Sequence, residues 1–314
     1  MRVLVTGGAG FIASNLVDRL LAEGCDVDAI DDLSSGSLGN LADARAQRSR
    51  KFMFHRMDVC SPQIVDLVAH RAPEVIFHLA AQPGVRPSLA KPAFDAQVNI
   101  LGTLNVCEAA RVGRTRKIVF AGSGGTIYGV PESVPVKESH PQHPTSPYGV
   151  SKKAAVDYLF YYREVHGLEY TVLALANVYG PRQDPHGEAG VVAIFAGALL
   201  AGKSPTIYGD GKQTRDYVFV DDVVDAFVRA TEKGGGLLMN IGTGVETSVL
   251  ELYDVMARIT GFREDARFAP ERPGELLRSA LDPGRAAIHL GWKPWTSLQD
   301  GLARTLEWHG AHRA

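Results

Sequence analysis

Short apolar strands alternate with helical patterns through the first half of this 314-residue chain. The helical patterns cover about 11–23, 61–70, 95–112 and 147–166, and the strand patterns cover 2–6, 26–30, 51–57, 75–79, 117–121 and 170–174. Two neighbouring parallel strands need a crossover between them, and that crossover is usually a helix. The alternation therefore predicts an α/β fold, in which a doubly wound parallel sheet carries helices on both faces.

The pattern changes after residue 176, where loops rich in glycine and proline become frequent. Two further strand–helix units interrupt these loops, at 216–232 and 237–260, and Ser248 with Glu251 forms the pattern of a capping box within the second. We therefore predict one domain over residues 1–175 and a smaller, interleaved C-terminal lobe over 176–314. Residues 216–240 are expected to return to the main sheet.

Composition and charge exclude several classes of protein. The net charge of −2 and the pI of about 6.6 give no sign of a surface for nucleic acid or anionic membranes. The three cysteines are widely spaced and include no C-x-x-C pair, so neither a disulfide framework nor a metal site is predicted. The first apolar run, 3–5, is too short for a signal or membrane segment. We expect a cytoplasmic protein without nucleic-acid or membrane partners.

A glycine-rich turn lies between the first strand and the first helix. Gly8, Gly10 and Ala13 fit the G-x-G-x-x-A fingerprint of Rossmann-type dinucleotide-binding folds. Gly7 and Gly10 would let the backbone approach a pyrophosphate, whose charge the N-terminus of the following helix would hold. The turn therefore predicts a dinucleotide site.

Two carboxylates close the second strand, about 20 residues after the turn, where an acidic side chain can bind the adenosine ribose. They are Asp31 and Asp32, and no arginine follows them before Arg45. A 2′-phosphate would therefore meet negative charge. This pattern favours NAD over NADP as the cofactor.

Further candidates follow the third and fourth strands, because α/β ligands bind at the carboxyl ends of the strands. For Asp58 and Gln82 an ordinary loop role remains open, and for Asn99, within a helical stretch, so does a surface position. The predicted cofactor-binding residues, together with Tyr148 and Lys152 below, are Gly7, Gly10, Phe11, Ile12, Asp31, Asp32, Leu33, Ser35, Gly36, Asp58, Val59, Leu79, Ala80, Ala81, Gln82 and Asn99.

Tyr148 and Lys152 are four residues apart, so on a helix both side chains project from one face. A free tyrosine ionises near pH ~10, and a nearby ammonium can supply much of the shift that a base acting near neutrality needs. Ser123, 25 residues before Tyr148, is the candidate polarising hydroxyl. The same Tyr-x-x-x-Lys spacing occurs at 208–212, but glycines there indicate a turn.

The context of Tyr148 is helical. Ser146 can cap a helix, Pro147 suits its first position, and Gly167 suits its end. These signals predict a helix over 147–166 with Tyr148 in its first turn, and they favour a catalytic interpretation of Tyr148 and Lys152.

Several motifs together resemble the extended short-chain dehydrogenases/reductases and, more narrowly, the UDP-glucose (UDP-galactose) 4-epimerases. The resemblance runs over nearly the whole chain, and the matching segments are 6–12, Asp31, 78–81, Ser123, 146–152, 177–182, 209–211, 215–217 and 272–275. It implies that Tyr148 takes the proton of the sugar 4-hydroxyl, while Lys152 lowers its pKa and holds the nicotinamide ribose. Hydride then passes to NAD and returns to the other face of the 4-keto sugar.

The resemblance also implies a substrate site for a UDP-sugar. Asn177, Arg215 and Arg272 match positions that hold the nucleotide diphosphate, and Glu275 matches an acidic residue near its ribose. Guanidinium groups suit diphosphate oxygens. The predicted substrate-binding residues are Arg86, Ser123, Thr126, Tyr148, Asn177, Val191, Tyr208, Arg215, Arg272 and Glu275.

Several alternatives remain open. Ser123 lies one place before the usual position of the polarising hydroxyl, which is Gly124 here, so Thr126 is a second candidate. UDP-GlcNAc, or UDP-glucuronate through Arg86, could replace UDP-glucose. Sugar-nucleotide dehydratases and decarboxylases carry acidic residues after the Ser or Thr, where this chain has none. A non-catalytic NAD-binding sensor is a further possibility.

The helices at 95–112 and 147–166 carry apolar residues on more than one face, including Phe160 and Tyr161. A helix-bundle homodimer like that of the family is therefore expected.

Overall fold

Seven parallel strands form the central sheet of the protein, for which a computed structural model describes residues 1–47, 51–186, 190–271 and 276–312. The strands, numbered along the chain, are β1 (Arg2–Thr6), β2 (Asp26–Asp31), β3 (Phe52–Arg56), β4 (Val75–His78), β5 (Lys117–Ser123), β6 (Glu169–Leu175), β7 (Asn177–Tyr179), β8 (Thr206–Tyr208), β9 (Thr214–Arg215), β10 (Tyr217–Phe219), β11 (Leu237–Ile241), β12 (Thr247–Ser248) and β13 (Arg267–Ala269). The sheet has the order β11-β6-β5-β4-β1-β2-β3, so the strand order reverses between β1 and β4. In doubly wound folds such a point forms the ligand crevice.

Helices cover both faces of this sheet. They are α1 (Phe11–Ala22), α2 (Ala42–Ala46), α3 (Gln63–Arg71), α4 (Val85–Ala90), α5 (Pro92–Ala96), α6 (Gly102–Val112), α7 (Gly124–Ile127), α8 (Pro147–His166), α9 (Val191–Leu200), α10 (Val220–Ala230), α11 (Val249–Thr260), α12 (Gly284–His289) and α13 (Leu298–Ala311). Successive strand residues point to opposite faces, so Val3 and Val5 join one apolar cluster and Leu4 joins the other. The expected Rossmann-type layering is confirmed.

The helix predicted at 147–166 has those bounds in the structure. The Ser146 hydroxyl accepts a hydrogen bond from the N–H of Gly149, and Gly167 ends the helix in the left-handed conformation with φ 69°. The capping box of Ser248 and Glu251 is also present at the start of α11. The stretch predicted as one helix at 95–112 consists instead of α5, a π-helical segment (Gln97–Leu101) and α6. Such π turns are frequent at functional sites.

Within the described part of residues 176–314, one strand belongs to the main sheet. Of the segment 216–240 that was expected to return there, β11 pairs with β6. The strand β10 instead pairs with β7 in a separate short sheet, because the chain leaves β6 at Ala176 and runs directly into β7. The short strands β9 and β12 form another pair, as do β8 and β13.

Candidate active site

The glycine turn between β1 and α1 is pressed against the end of β4. Gly7 has φ 67°, and a Cβ built on it would lie 2.8 Å from the backbone nitrogen of Ala80. A side chain at this position would therefore be strained and would clash with backbone. Gly10 precedes α1 without a side-chain cap, which leaves the first N–H groups of the helix available to an anion. Phe11 and Ile12 form the first turn of this helix and are half-buried.

Asp31 and Asp32 have different surroundings. Asp31 is buried, and its carboxylate accepts hydrogen bonds from the N–H groups of Ala9 at 3.0 Å and Leu33 at 2.8 Å. Burial raises the pKa of Asp31, the two backbone hydrogen bonds lower it, and the charge of Asp32 raises it. A Cβ on Gly36 would lie 2.9 Å from the same carboxylate. Asp31 therefore faces the glycine turn, whereas Asp32 is exposed and binds Ser34.

The other candidates at strand ends divide between exposed and buried positions. Asp58 is exposed and accepts from the N–H of Cys60, and Ser35 is exposed as well. Val59 is buried, and its side chain would touch a Cβ on Gly102. Leu79, Ala80, Ala81 and Gln82 are half-buried in the loop after β4. This loop is the one against which Gly7 packs.

Asn99 is buried, so the alternative of a surface asparagine is excluded. Its side-chain oxygen accepts from the N–H of Gln82 at 2.8 Å. Its amide nitrogen lies 3.1 Å from Asp95 Oδ1, from Ser151 Oγ and from the Gln82 carbonyl. Asn99 thus joins the loop after β4 to α5 and to helix α8, which carries Tyr148 and Lys152.

A continuous chain of hydrogen bonds runs from the glycine turn to Asn99 through His78. The His78 ring lies 2.7 Å from Thr6 Oγ1 and 3.0 Å from Thr103 Oγ1, and that second hydroxyl donates to the Asn99 carbonyl. Thr103 must therefore accept from Nε2–H, which assigns Nδ1 as the acceptor for Thr6. Burial, with a smaller contribution from Lys152, lowers the pKa of His78 to about 3, so the ring is neutral.

Tyr148 lies in the first turn of α8 and Lys152 one turn later. The backbone N–H of Tyr148 donates to Ser88 Oγ at 3.1 Å, which fixes the start of the helix against α4. Lys152 is buried, its Nζ donates to the Ala121 carbonyl at 3.0 Å, and Nζ lies 5.9 Å from the centre of the Tyr148 ring. Tyr148 and Lys152 therefore project from the same face of α8, as expected from their spacing.

The pKa values of this pair are governed first by burial. Burial raises the pKa of Tyr148 to about 12, a hydrogen bond with Ser123 lowers it, and the charge of Asp95 raises it. Burial lowers the pKa of Lys152 to about 8, and Asp95 raises it. Attraction between the ammonium and the phenolate, expected from their spacing, is opposed by the desolvation of both groups, which acts against ionisation of the phenol.

Ser123 ends β5 beside Tyr148, and Thr126 lies one turn further on. Thr126 Oγ1 donates to Ser123 Oγ at 2.8 Å, so the two candidate hydroxyls are neighbours. A Cβ on Gly124 would overlap the side chain of Leu281, and Gly125 faces open space. There is therefore no room for a side chain at 124, and the hydroxyls beside Tyr148 are those of Ser123 and Thr126.

The predicted substrate residues within the described ranges lie on several different helices and short strands. Asn177, Arg86 and Tyr208 are exposed, and Val191 begins α9. The guanidinium of Arg215 donates to the carbonyls of Thr214 and Leu276, both at 2.8 Å. Leu276 directly follows Glu275 in the chain, and the two predicted ligands Arg272 and Glu275 lie outside the described residues.

Sequence reasoning missed Asp95 and the contact of Leu281 with Gly124. Asp95 and Asn99 are four residues apart, which on a helix places them on one face, and that spacing could have indicated a polar pair. No local signal pointed to Leu281, because it is remote in sequence from Gly124.

Within the described ranges, no group of three or more His, Cys, Asp or Glu side chains is arranged to hold a metal ion. Nor does any helix in that part of the chain have the length and apolar character needed to cross a membrane.

Known proteins resemble the chain over almost its full length. A family model described as GDP-mannose 4,6 dehydratase matches residues 4–305. A UDP-glucose 4-epimerase of Mycolicibacterium smegmatis is 54% identical over 308 residues, which are 98% of each chain. The solved structure of a UDP-glucose 4-epimerase from Thermotoga maritima with UDP-glucose has a TM-score of 0.94 and 44% identity, and the match covers 98% of both chains.

A further solved structure, of a Thermus thermophilus UDP-glucose 4-epimerase complexed with NAD, has a TM-score of 0.90 and 41% identity, again over 98% of both chains. The resemblance inferred from the motifs is confirmed. The chain therefore belongs to the extended short-chain dehydrogenases/reductases, within the family described by the GDP-mannose 4,6 dehydratase model.

Proposed function

We propose that the protein is an NAD-dependent UDP-sugar 4-epimerase that interconverts UDP-glucose and UDP-galactose. The observation that carries the proposal is the hydrogen-bonded chain from Thr6, at the glycine turn, through His78 and Asn99 to Ser151 in the first turns of α8. It ties a dinucleotide turn to the helix that presents Tyr148 and Lys152. The relatives named as UDP-glucose 4-epimerases support the choice of reaction.

The residues of the glycine turn fit NAD. The left-handed Gly7 and the uncapped start of α1 would hold the pyrophosphate, and Asp31, directed at the turn, would accept from the adenosine ribose. Bound NAD would supply a reversible hydride acceptor at the sugar C4 and a positive charge near the phenol. The remaining cofactor-binding residues predicted from the sequence belong to this proposal.

The side chains of the chain itself move and hold one proton. Tyr148 Oη takes the proton of the sugar 4-hydroxyl and returns it to the 4-oxygen after the sugar has turned. Ser123 Oγ donates a hydrogen bond to that oxygen. For the sugar to turn, the protein must grip mainly the UDP part of the substrate, which is the role proposed for Asn177, Arg215 and Arg272. Arg86, Thr126, Val191, Tyr208 and Glu275 are proposed to line the same site.

The segment after Ser123 disfavours a dehydratase. Elimination of water needs an acid near the sugar C5 and C6, and the span 124–126 offers glycines and one threonine. At Gly124 the structure leaves no room for a side chain, because Leu281 occupies the space. A UDP-GlcNAc or UDP-glucuronate 4-epimerase uses the same groups on C4, so these remain alternative substrates.

The test is incubation of the purified protein with UDP-glucose, UDP-GlcNAc and UDP-glucuronate in turn, with NMR identification of the products. We expect the C4 epimer of UDP-glucose to form without net release of NADH, because the proton and hydride return to the same sugar. Stoichiometric NADH with a stable keto sugar would contradict the proposal. If only UDP-GlcNAc or only UDP-glucuronate were turned over, that sugar nucleotide would be the substrate instead of UDP-glucose.

We propose in addition a division of binding roles between the two parts of the chain, and a cellular location. Residues 1–175 would hold NAD and residues 176–314 the UDP-sugar. All three cysteines are free thiols, which suits a reducing, cytoplasmic location. Interconversion of UDP-glucose and UDP-galactose would place the protein in galactose metabolism.

We also propose a homodimer through α8 and the neighbouring helices. Phe160 and Tyr161 on α8 are exposed, as are Tyr158 and Val165 on the same helix, and Phe94 on α5. A group of large exposed apolar side chains on one helix is typical of a protein–protein interface. A second copy with the same surface can cover it by two-fold symmetry.

Sedimentation at micromolar concentration is expected to give a dimer, and Phe160→Arg is expected to shift it towards monomer, because it places charge in the apolar surface. Ile288→Arg is the matched control, since Ile288 is 79% exposed on α12 and outside this surface. A monomeric wild-type protein, or equal effects of both substitutions, would rule out this interface.

A further inference from the structure

Asp95 is a buried carboxylate within the candidate active site. The proposed reaction assigns no role to this residue. It lies on α5 with 1% of its surface exposed. Its Oδ1 atom accepts from Gln82 Nε2 and Asn99 Nδ2, both at 3.1 Å. In the described structure its buried Oδ2 atom has no hydrogen-bond partner. A buried carboxylate with half of its acceptors unused is costly, so a compensating role is expected.

We propose that Asp95 is a positioning residue of the catalytic pair, which holds Lys152 as an ammonium through its charge and fixes Gln82 and Asn99 through its hydrogen bonds. The inference rests on the proposed function, because it concerns the base and cation of that reaction. Helix α5 packs against α8, and Asn99 bonds both Asp95 and Ser151, which connects Asp95 to the first turns of α8. The Lys152 ammonium donates to the neutral carbonyl of Ala121, and Asp95 is the carboxylate whose charge raises the pKa of Lys152.

The charge of Asp95 shifts the pKa values of Tyr148 and Lys152 in the same direction. Burial dominates the pKa of Tyr148 and of Lys152, and the charge of Asp95 raises both values. Turnover requires an ionised Tyr148 together with a charged Lys152, so the pKa values of these two groups together set the two limbs of the pH profile. Removal of the Asp95 charge therefore moves both limbs to lower pH.

Other charged groups on the elements packed against α5 do not replace Asp95. Arg86 on α4 is exposed, and Lys153 on α8 pairs with Asp157 at 2.9 Å. His78, near Lys152, is neutral because its pKa is lowered to about 3 by burial. The titrating partners of Asp95 are therefore Tyr148 and Lys152.

The test compares Asp95→Asn with Ser151→Ala in the loaded enzyme. Ser151→Ala removes another hydrogen bond to Asn99 but no charge. The comparison therefore separates the effect of the Asp95 charge from the effect of the hydrogen bonds that position Asn99. We expect Asp95→Asn to move both limbs of the kcat/KM profile down by on the order of one pH unit, as for a unit charge several ångströms away at an effective dielectric near 20 or higher. Ser151→Ala should lower the rate without moving the limbs.

A second measurement needs no turnover. In protein with ¹³C-labelled lysine side chains, the Lys152 signal can be assigned by its loss in Lys152→Met, and its midpoint should fall in Asp95→Asn. Asp95→Ser, which leaves space for water, provides the same comparison if the asparagine variant does not fold. Unmoved limbs and an unmoved Lys152 midpoint, with only a lower rate or melting temperature, would overturn the inference. A wild-type protein without epimerase activity would instead refute the proposed function, and the Lys152 titration would still decide the role of Asp95.

Discussion

Tyr148→Phe is expected to lower the rate of UDP-hexose epimerisation by about 10²–10⁴-fold, the range of a general base, while the affinity for the UDP-sugar changes little. The substitution removes only the phenol oxygen, which is the atom proposed to accept the proton. The ring remains, so the packing at the start of α8 and the hydrogen bond from the backbone of residue 148 to Ser88 should persist. Steady-state kinetics, with substrate affinity measured by calorimetry, separate the two effects.

Tyr253→Phe is the matched control. Tyr253 lies on α11, and its hydroxyl donates to the Glu264 carbonyl, so the same atom is lost far from the catalytic helix. Its turnover should match the wild type. If Tyr148→Phe retained turnover, Tyr148 would not be the base of the reaction. If it lost binding and turnover equally, Tyr148 would be a substrate-binding residue and not the base.

Local sequence signals were sufficient for the catalytic helix. Ser146, Pro147 and Gly167 each act within one turn of a helix end, and these short-range interactions gave the bounds of α8. The strands of the sheet could also be located, because each is a short apolar run bounded by turn residues. The order of the strands in the sheet was not predicted, because right-handed crossovers limit the possible orders but do not select one.

Contacts between distant segments could not be predicted in this way. The pairing of β10 with β7 depends on how the chain leaves the main sheet, which no local pattern encodes. Strands buried on both faces give no alternation, so the sequence did not distinguish Asp31 from Asp32. The role of Asp95 depends on the packing of α5 against α8, and the effect of burial on Tyr148 depends on the complete fold.

Ser123→Ala is expected to lower turnover by about 10²-fold or more, the scale of a removed polarising donor. The hydroxyl of Ser123 has one proton to donate and accepts from Thr126 Oγ1 at 2.8 Å. That contact leaves its own proton free for the sugar 4-oxygen or for the phenolate of Tyr148, and the hydrogen bond with Ser123 already lowers the pKa of Tyr148 against the larger effect of burial.

Thr126→Val is the matched comparison, because it removes a hydroxyl at nearly constant volume. In the geometry observed, Thr126 donates to Ser123 and orients it, so its loss should cost clearly less than the loss of Ser123 itself. Rates for both variants under saturating UDP-glucose, with folding checked by thermal melting, decide between the two hydroxyls. A larger effect of Thr126→Val would make Thr126 the polarising donor. Ser123 would then be the residue that orients it, because a hydrogen bond between two hydroxyls can run in either direction.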